Sequence, residues 1–169
     1  MLLPGTQMHL VTFLFVCIEI VILSYLLIYR LARPDDKSAY LNIILIFLLI
    51  VYNVTGGLLP DENLPGSYYL QTSIAYATGF VTPCYFPYYV YHAFHLEKMK
   101  FHAYKGVFIF FFFFYVIFVI LFVSSGNLEA AKNLLIIPTA YALWVIITLI
   151  RAVRQKYKNS FETKGAKEE

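Results

Sequence analysis

Charge is what this chain has least of. Of its 169 residues 14% are charged and 60% hydrophobic, with a mean hydropathy of +0.69, whereas a soluble domain carries about a quarter charged residues and roughly half apolar ones. That scarcity excludes an ordinary soluble domain and leaves few residues for a separate catalytic one. The net charge of +3 is too small for a nucleic-acid groove, and the positive residues sit beside apolar runs, so no nucleic acid is expected as a partner. Cysteine is equally sparse. Cys17 and Cys84 both lie in long apolar runs, where a thiol behaves as a small hydrophobe, and two cysteines make neither a disulfide framework nor a metal site. No cofactor is implied. Residues 1–9 lack Lys and Arg, and no small-residue cleavage site follows, so the first apolar run does not read as a signal peptide.

What the chain does have is long uncharged runs of membrane-spanning length, about 20 residues each. The expected fold is all-α, a polytopic transmembrane bundle of five spans over residues 8–29, 40–59, 68–91, 106–123 and 133–150, followed by a basic helical tail, 151–169. Arg30 to Lys37 with Pro34, the turn-rich stretch around Pro60, Asp61, Glu62 and Pro65, the polar connection 92–105 and residues 124–132 separate the spans. Lys and Arg fall on alternate sides of this arrangement. Arg30, Arg33 and Lys37, then Lys98, Lys100 and Lys105, then Arg151, Arg154, Lys156, Lys158, Lys164 and Lys167 share one side, leaving Lys132 as the exception among 13. Positive residues stay cytoplasmic, which puts the N-terminus outside and the tail inside a plasma (inner) membrane. No internal repeat is evident, which counts against a transporter built from two halves.

Glu19 is the one Asp, Glu, Lys or Arg inside any of these spans, near the middle of the first, where an ionised side chain costs about 2.5 kcal/mol or more. It reads either as a proton- or ligand-responsive carboxylate or as a neutral acid bonded to a neighbouring helix. Thr78, Thr82, Tyr115 and Tyr141 lie at similar depth and are its expected partners. The third span is rich in Tyr, Thr and Gln and carries Pro83 and Pro87, which remove backbone donors and are expected to kink or unwind it. The kink is read as a cavity wall or hinge; the alternative is an ordinary membrane proline with an interfacial tyrosine belt. Tyr88, Tyr89 and Tyr91 fit that belt, whereas Tyr76 and Tyr85 fit either reading. Asn53, within a glycosylation sequon too close to the membrane to weigh, begins an expected outer loop in which Asp61 and Glu62 could meet a cation or simply be solvated. His92, His95 and His102 with Glu97 match no metal-site spacing, so no metal is expected. Arg151, Arg154, Lys156 and Lys158 are expected against lipid headgroups, as a positive-inside stop or as anionic-lipid recognition. A basic helix leaving the membrane is also what precedes a cytoplasmic module.

Four stretches carry a resemblance: Tyr52-Asn-Val-Thr-Gly-Gly-Leu-Leu-Pro-Asp-Glu-Asn63, Ile74-Ala-Tyr-Ala-Thr-Gly-Phe80, Tyr85-Phe-Pro-Tyr-Tyr89 and Leu96-Glu-Lys-Met-Lys-Phe-His102. Over residues 40–157 the chain resembles the membrane sensor regions of bacterial signalling receptors, the seven-transmembrane receptors with diverse intracellular signalling modules. The resemblance implies a helical sensor whose final helix drives a cytoplasmic kinase or DNA-binding output. Two departures stand against it: five spans in place of seven, and no output domain within these residues. The expected function is therefore a non-enzymatic sensory membrane region, with the bilayer, a second copy of the chain and a cytoplasmic signalling module as partners. The alternative is a small-solute transporter or channel subunit. A membrane enzyme ranks third, because no nucleophile–base pair or metal constellation has convincing spacing.

Overall fold

The computed structural model describes every residue except Met1, Gly5, Gln7, Lys37 and residues 166–169, and of residues 159 and 161–165 it describes the backbone alone. Lys37, Lys167 and the Lys164 side chain, counted above for orientation, thus lie outside the described residues. The described residues are almost wholly helical. Four helices come first: α1 (Leu10–Ala32), α2 (Ser38–Leu58), α3 (Tyr68–Phe94) and α4 (Glu97–Ser125). In α5 a short helix, Leu128–Lys132, tightens through a 3-10 turn at Asn133–Leu135 and continues over Ile136–Gly165.

Among the described residues α1, α2, α4 and the Leu128–Lys158 part of α5 are long and apolar enough to cross a membrane. The chain is a helical membrane protein on that account. The 27 residues of α3 rise about 40 Å, but their Tyr, Thr, Gln and Pro content makes this helix less apolar than the other four.

Local chemistry sets the helix ends. Pro34 stops α1. The Asp36 carboxylate then accepts from the Ser38 N–H (2.9 Å) and hydroxyl (2.6 Å), starting α2, while the Tyr29 hydroxyl donates to its other oxygen (3.0 Å). Ser67 caps α3 by accepting from Leu70 N (3.3 Å). At the far end His95 turns left-handed (φ 51°) and the Lys156 ammonium donates to the last carbonyl of α3, Phe94 O (2.6 Å), where a cation suits the helix dipole. Gly126 (φ 66°) ends α4, and the Asn127 side chain accepts from Ala130 N (3.1 Å) to start α5.

Two boundaries differ from expectation. The stretch 92–105, read as a polar connection, contains the end of α3, a two-residue link and the first turns of α4, so α4 begins at Glu97 and not near residue 106. Met99, His102 and Ala103 bury while Lys98, Lys100 and Lys105 stay exposed; an amphipathic start was hidden by its own lysines. Likewise α2 runs to Leu58, so Asn53 is a helix residue and not part of the outer loop, which is confined to residues 59–67.

The apolar core lies between α3, α4 and α5. One cluster gathers Phe80, Val90, Met99, Phe111, Tyr141 and Val145, and a second holds Phe118, Phe122 and Ala131. By contrast, Val16 and Ala39 are the buried residues of α1 and α2. These two helices form an outer layer, α1 packed on α2 and α2 on α3.

Candidate functional site

A cavity of about 640 Å³ opens beside α3, walled by α2, α4, α5 and the 59–60 end of the outer loop. The face of α3 that it touches carries Tyr68, Thr72, Tyr76, Gly79 and Pro83; Tyr52 and Gly56 come from α2, Phe111 from α4, and Pro138 and Ala142 from α5. The spacing of those α3 positions, three or four apart, is that of one helix face. Small residues open the space. A side chain built at Gly56 would meet nothing within 4 Å, whereas one at Gly79 would touch the Tyr52 ring at 3.4 Å. Thr72 is the exceptional polar residue of the wall: it is 2% exposed and its hydroxyl has no hydrogen-bond partner. Buried hydroxyls are nearly always paired; this one is enclosed behind the cavity wall, and no described residue satisfies it.

Next to Thr72, Gln71 fixes the rim. Its side chain accepts from Asp61 N (2.7 Å) and donates to Leu64 O (3.1 Å) and Gly66 O (3.3 Å), stapling the outer loop to the top of α3. Asp61 is held within that loop, accepting from the Asn63 backbone (2.8 Å) and side chain (3.0 Å). Its role here is turn formation; Glu62 is exposed beside it.

A neighbouring face of α3 makes a polar seam with α2. Thr78 and Thr55 share a hydrogen bond (2.6 Å), the Thr82 hydroxyl donates to Leu48 O (3.4 Å), the Tyr85 hydroxyl to Leu41 O (3.1 Å) and the Tyr89 hydroxyl to Asn42 Oδ1 (2.8 Å). Positions 78, 82, 85 and 89 are one stripe at helical spacing, and hydrogen bonds between helices are effective glue in lipid. Tyr89, grouped above with the interfacial belt, is thus a seam residue. The seam brackets Pro83 and Pro87, and α3 stays helical through both, so the chain is not unwound there.

Glu19 does not join the four partners expected for it. Its Oε1 accepts from Asn53 Nδ2 (2.7 Å), and its other oxygen is buried without a partner. Thr78 and Thr82 belong to the α2 seam. Tyr115 donates to Ser73 O (3.0 Å) and Tyr141 meets His102 Nδ1 (3.0 Å). Depth alone grouped these residues; rotation of each helix about its axis separates them. The His102–Tyr141 pair is buried where two π-helical turns, His102–Gly106 and Phe108–Phe112, widen α4, and a side chain at Gly106 would overlap the Tyr141 hydroxyl. The histidines considered together above have different neighbours: His92 bonds Tyr104 (2.8 Å), His102 bonds Tyr141, and His95 is the exposed left-handed residue.

At the basic end, the exposed Lys156 ammonium donates one hydrogen bond to Phe94 O. Arg151 lines a shallow depression with Lys98, His102 and Trp144, and Arg154 and Lys158 are exposed. Compared with protein-family models, curated proteins and solved structures, the chain matches none. Thr72 and Gly56 are in the cavity wall and Gln71 holds the loop beside it, and sequence reasoning did not single them out as site residues. A Thr and a Gly inside apolar runs leave no signal there; only the three- and four-residue spacing of 68, 72, 76, 79 and 83 hinted at a common face.

Proposed function

We propose that the chain is a non-enzymatic ligand-sensing membrane region, in which occupancy of the α3 cavity biases the layer formed by α1 and α2 and, through α5, a cytoplasmic output. In this reading α3 is the fifth spanning helix, the N-terminus and the loop 59–67 face outward, and the basic end of α5 faces the cytoplasm, in keeping with the side on which Lys and Arg gather. The bilayer is the first partner; a second copy of the chain or a cytoplasmic signalling module would receive the signal. The observation that carries the reading is the cavity of about 640 Å³ beside α3, a size within the ordinary range for small-molecule sites, roughly 300–1,000 Å³. Supporting it, α2 is joined to α3 by a polar seam, which has discrete bonds to exchange if the layer slides.

The test uses the protein in nanodiscs, on a Cys17→Ser, Cys84→Ala background, with spin labels at Asp35 and Arg154. Gly56→Leu fills the cavity in place of a ligand. The label distance is expected to change by about 1–2 Å or more, the scale of a helix shift; an unchanged distance overturns the coupling. Proteoliposome flux of small cations or neutral solutes that exceeds protein-free vesicles and disappears in Glu19→Gln would replace this reading with a transporter.

A further inference from the structure

Pro83 lies inside α3 and has no amide hydrogen, so the carbonyl one turn earlier, Gly79 O, loses the donor that an unbroken helix supplies. No described side chain donates to it instead. Gly79 and Pro83 both line the cavity of about 640 Å³. Because glycine has no side chain, what Gly79 presents there is its backbone, and the residue is partly exposed. Its carbonyl points along the helix toward Pro83, whose ring crowds it on the same wall. The surroundings are aromatic. The Tyr52 ring lies 3.4 Å from where a Cβ on Gly79 would stand, and Tyr68, Tyr76, Phe80 and Phe111 continue the lining, to which Lys, Arg, Asp and Glu contribute nothing.

Resting on the reading that the α3 cavity takes a ligand, we propose that this ligand is an uncharged, planar bicyclic or tricyclic aromatic that gives one N–H or O–H to Gly79 O. The donor follows from the carbonyl: an acceptor left without its helical amide in an apolar setting is costly, and a ligand that supplies the missing hydrogen removes the cost. Neutrality follows from the walls, where an ion would have no counter-charge. Aromaticity follows from the lining, because a ring set offset or edge-on to Tyr52, Phe80 or Phe111 gains more than apolar burial, whereas a saturated molecule gains burial alone. The volume admits a skeleton of that size. Pro83 is then a positioning residue, which acts through the hydrogen bond it withholds from the helix.

The experiment uses the full chain in nanodiscs and compares carbazole with N-methylcarbazole, the same skeleton without its donor, by equilibrium dialysis against empty nanodiscs to subtract partitioning into lipid. The chain is expected to bind carbazole about fivefold more tightly, the size of one neutral hydrogen bond. Pro83→Ala returns an N–H to the Gly79 carbonyl and should remove that preference, and Gly56→Leu, which fills open space in the cavity, should weaken both compounds. If Pro83→Ala folds poorly, wild-type chain with isotope-labelled glycine carbonyls carries the test: carbazole, and not its N-methyl form, should move a glycine amide band to lower frequency, and Gly79→Ala should lack that band. Equal affinities in the wild type, a preference that survives Pro83→Ala, no glycine band shift, or indifference of both compounds to Gly56→Leu would overturn the inference. Tighter binding of a protonated aminomethyl carbazole would overturn it in favour of a cation held by ring faces. A carbazole preference that Pro83→Ala removes, with no change in the Asp35–Arg154 distance, leaves the site standing and removes the sensor, whereas a distance change on cavity filling without that preference does the reverse.

Discussion

Thr72 buries a hydroxyl for which the protein provides no partner, and such a group costs about 1–3 kcal/mol relative to a satisfied one. Thr72→Val should therefore stabilise the detergent-purified protein by about 1 kcal/mol, seen as a higher midpoint in thermal unfolding. A second residue sits in an unfavourable conformation for a different reason. His95 is left-handed at the end of α3, where an L side chain costs about 1–2 kcal/mol and glycine costs little. His95→Gly should raise stability by about 1 kcal/mol, measured in the same way; a loss would show that the imidazole makes a contact worth more than the backbone strain.

At the scale of elements, the α2–α3 seam and the α1–α2 joint carry separate predictions. Tyr85 and Tyr89 each reach an acceptor on α2, and interhelical hydrogen bonds in lipid are worth about 0.6 kcal/mol each. Tyr85→Phe with Tyr89→Phe should thus cost about 1 kcal/mol together, while a cysteine crosslink between α2 and α3 still forms because the shapes are kept. The joint is governed by Asp36. The Ser38 hydroxyl, then the Ser38 N–H, then the Tyr29 hydroxyl hold its carboxyl below the ordinary aspartate value of 3.8. A group whose folded value is depressed contributes stability above the unfolded value and loses it as pH falls through the folded one. Amide exchange at the first turn of α2 should therefore accelerate as pH drops below 3.8, after correction for intrinsic exchange, and Asp36→Asn should remove that dependence.

In the whole molecule the two clusters of buried aromatic and aliphatic residues belong to α3, α4 and α5 and the segments that link them, whereas Val16 and Ala39 are the buried residues of α1 and α2. Hydrogen exchange in nanodiscs should consequently protect the inner half of α3 and α5 longer than α1, since regions with few buried contacts open first. The positions of the long helices were legible in the sequence because run length against bilayer thickness, with Pro34, Pro60 and Pro65 as punctuation, depends on local composition alone. The start of α4 was not, because Lys98, Lys100 and Lys105 masked the buried face made by Met99, His102 and Ala103. Nor was the partner of Glu19: depth along a helix can be counted, but the direction a side chain faces depends on how neighbouring helices are rotated, and that brought Asn53 to it in place of Tyr115 or Tyr141. Sequence by itself determined that this is a helical membrane protein with scarce charge gathered between and after its long apolar runs, since apolar run length and charge placement are properties of the chain. Only tertiary structure decided that Thr72 is left unpaired behind a cavity wall, that Tyr85 and Tyr89 hold α2, and that Gly56 faces open space, because each depends on which helix faces which, and no local preference encodes that.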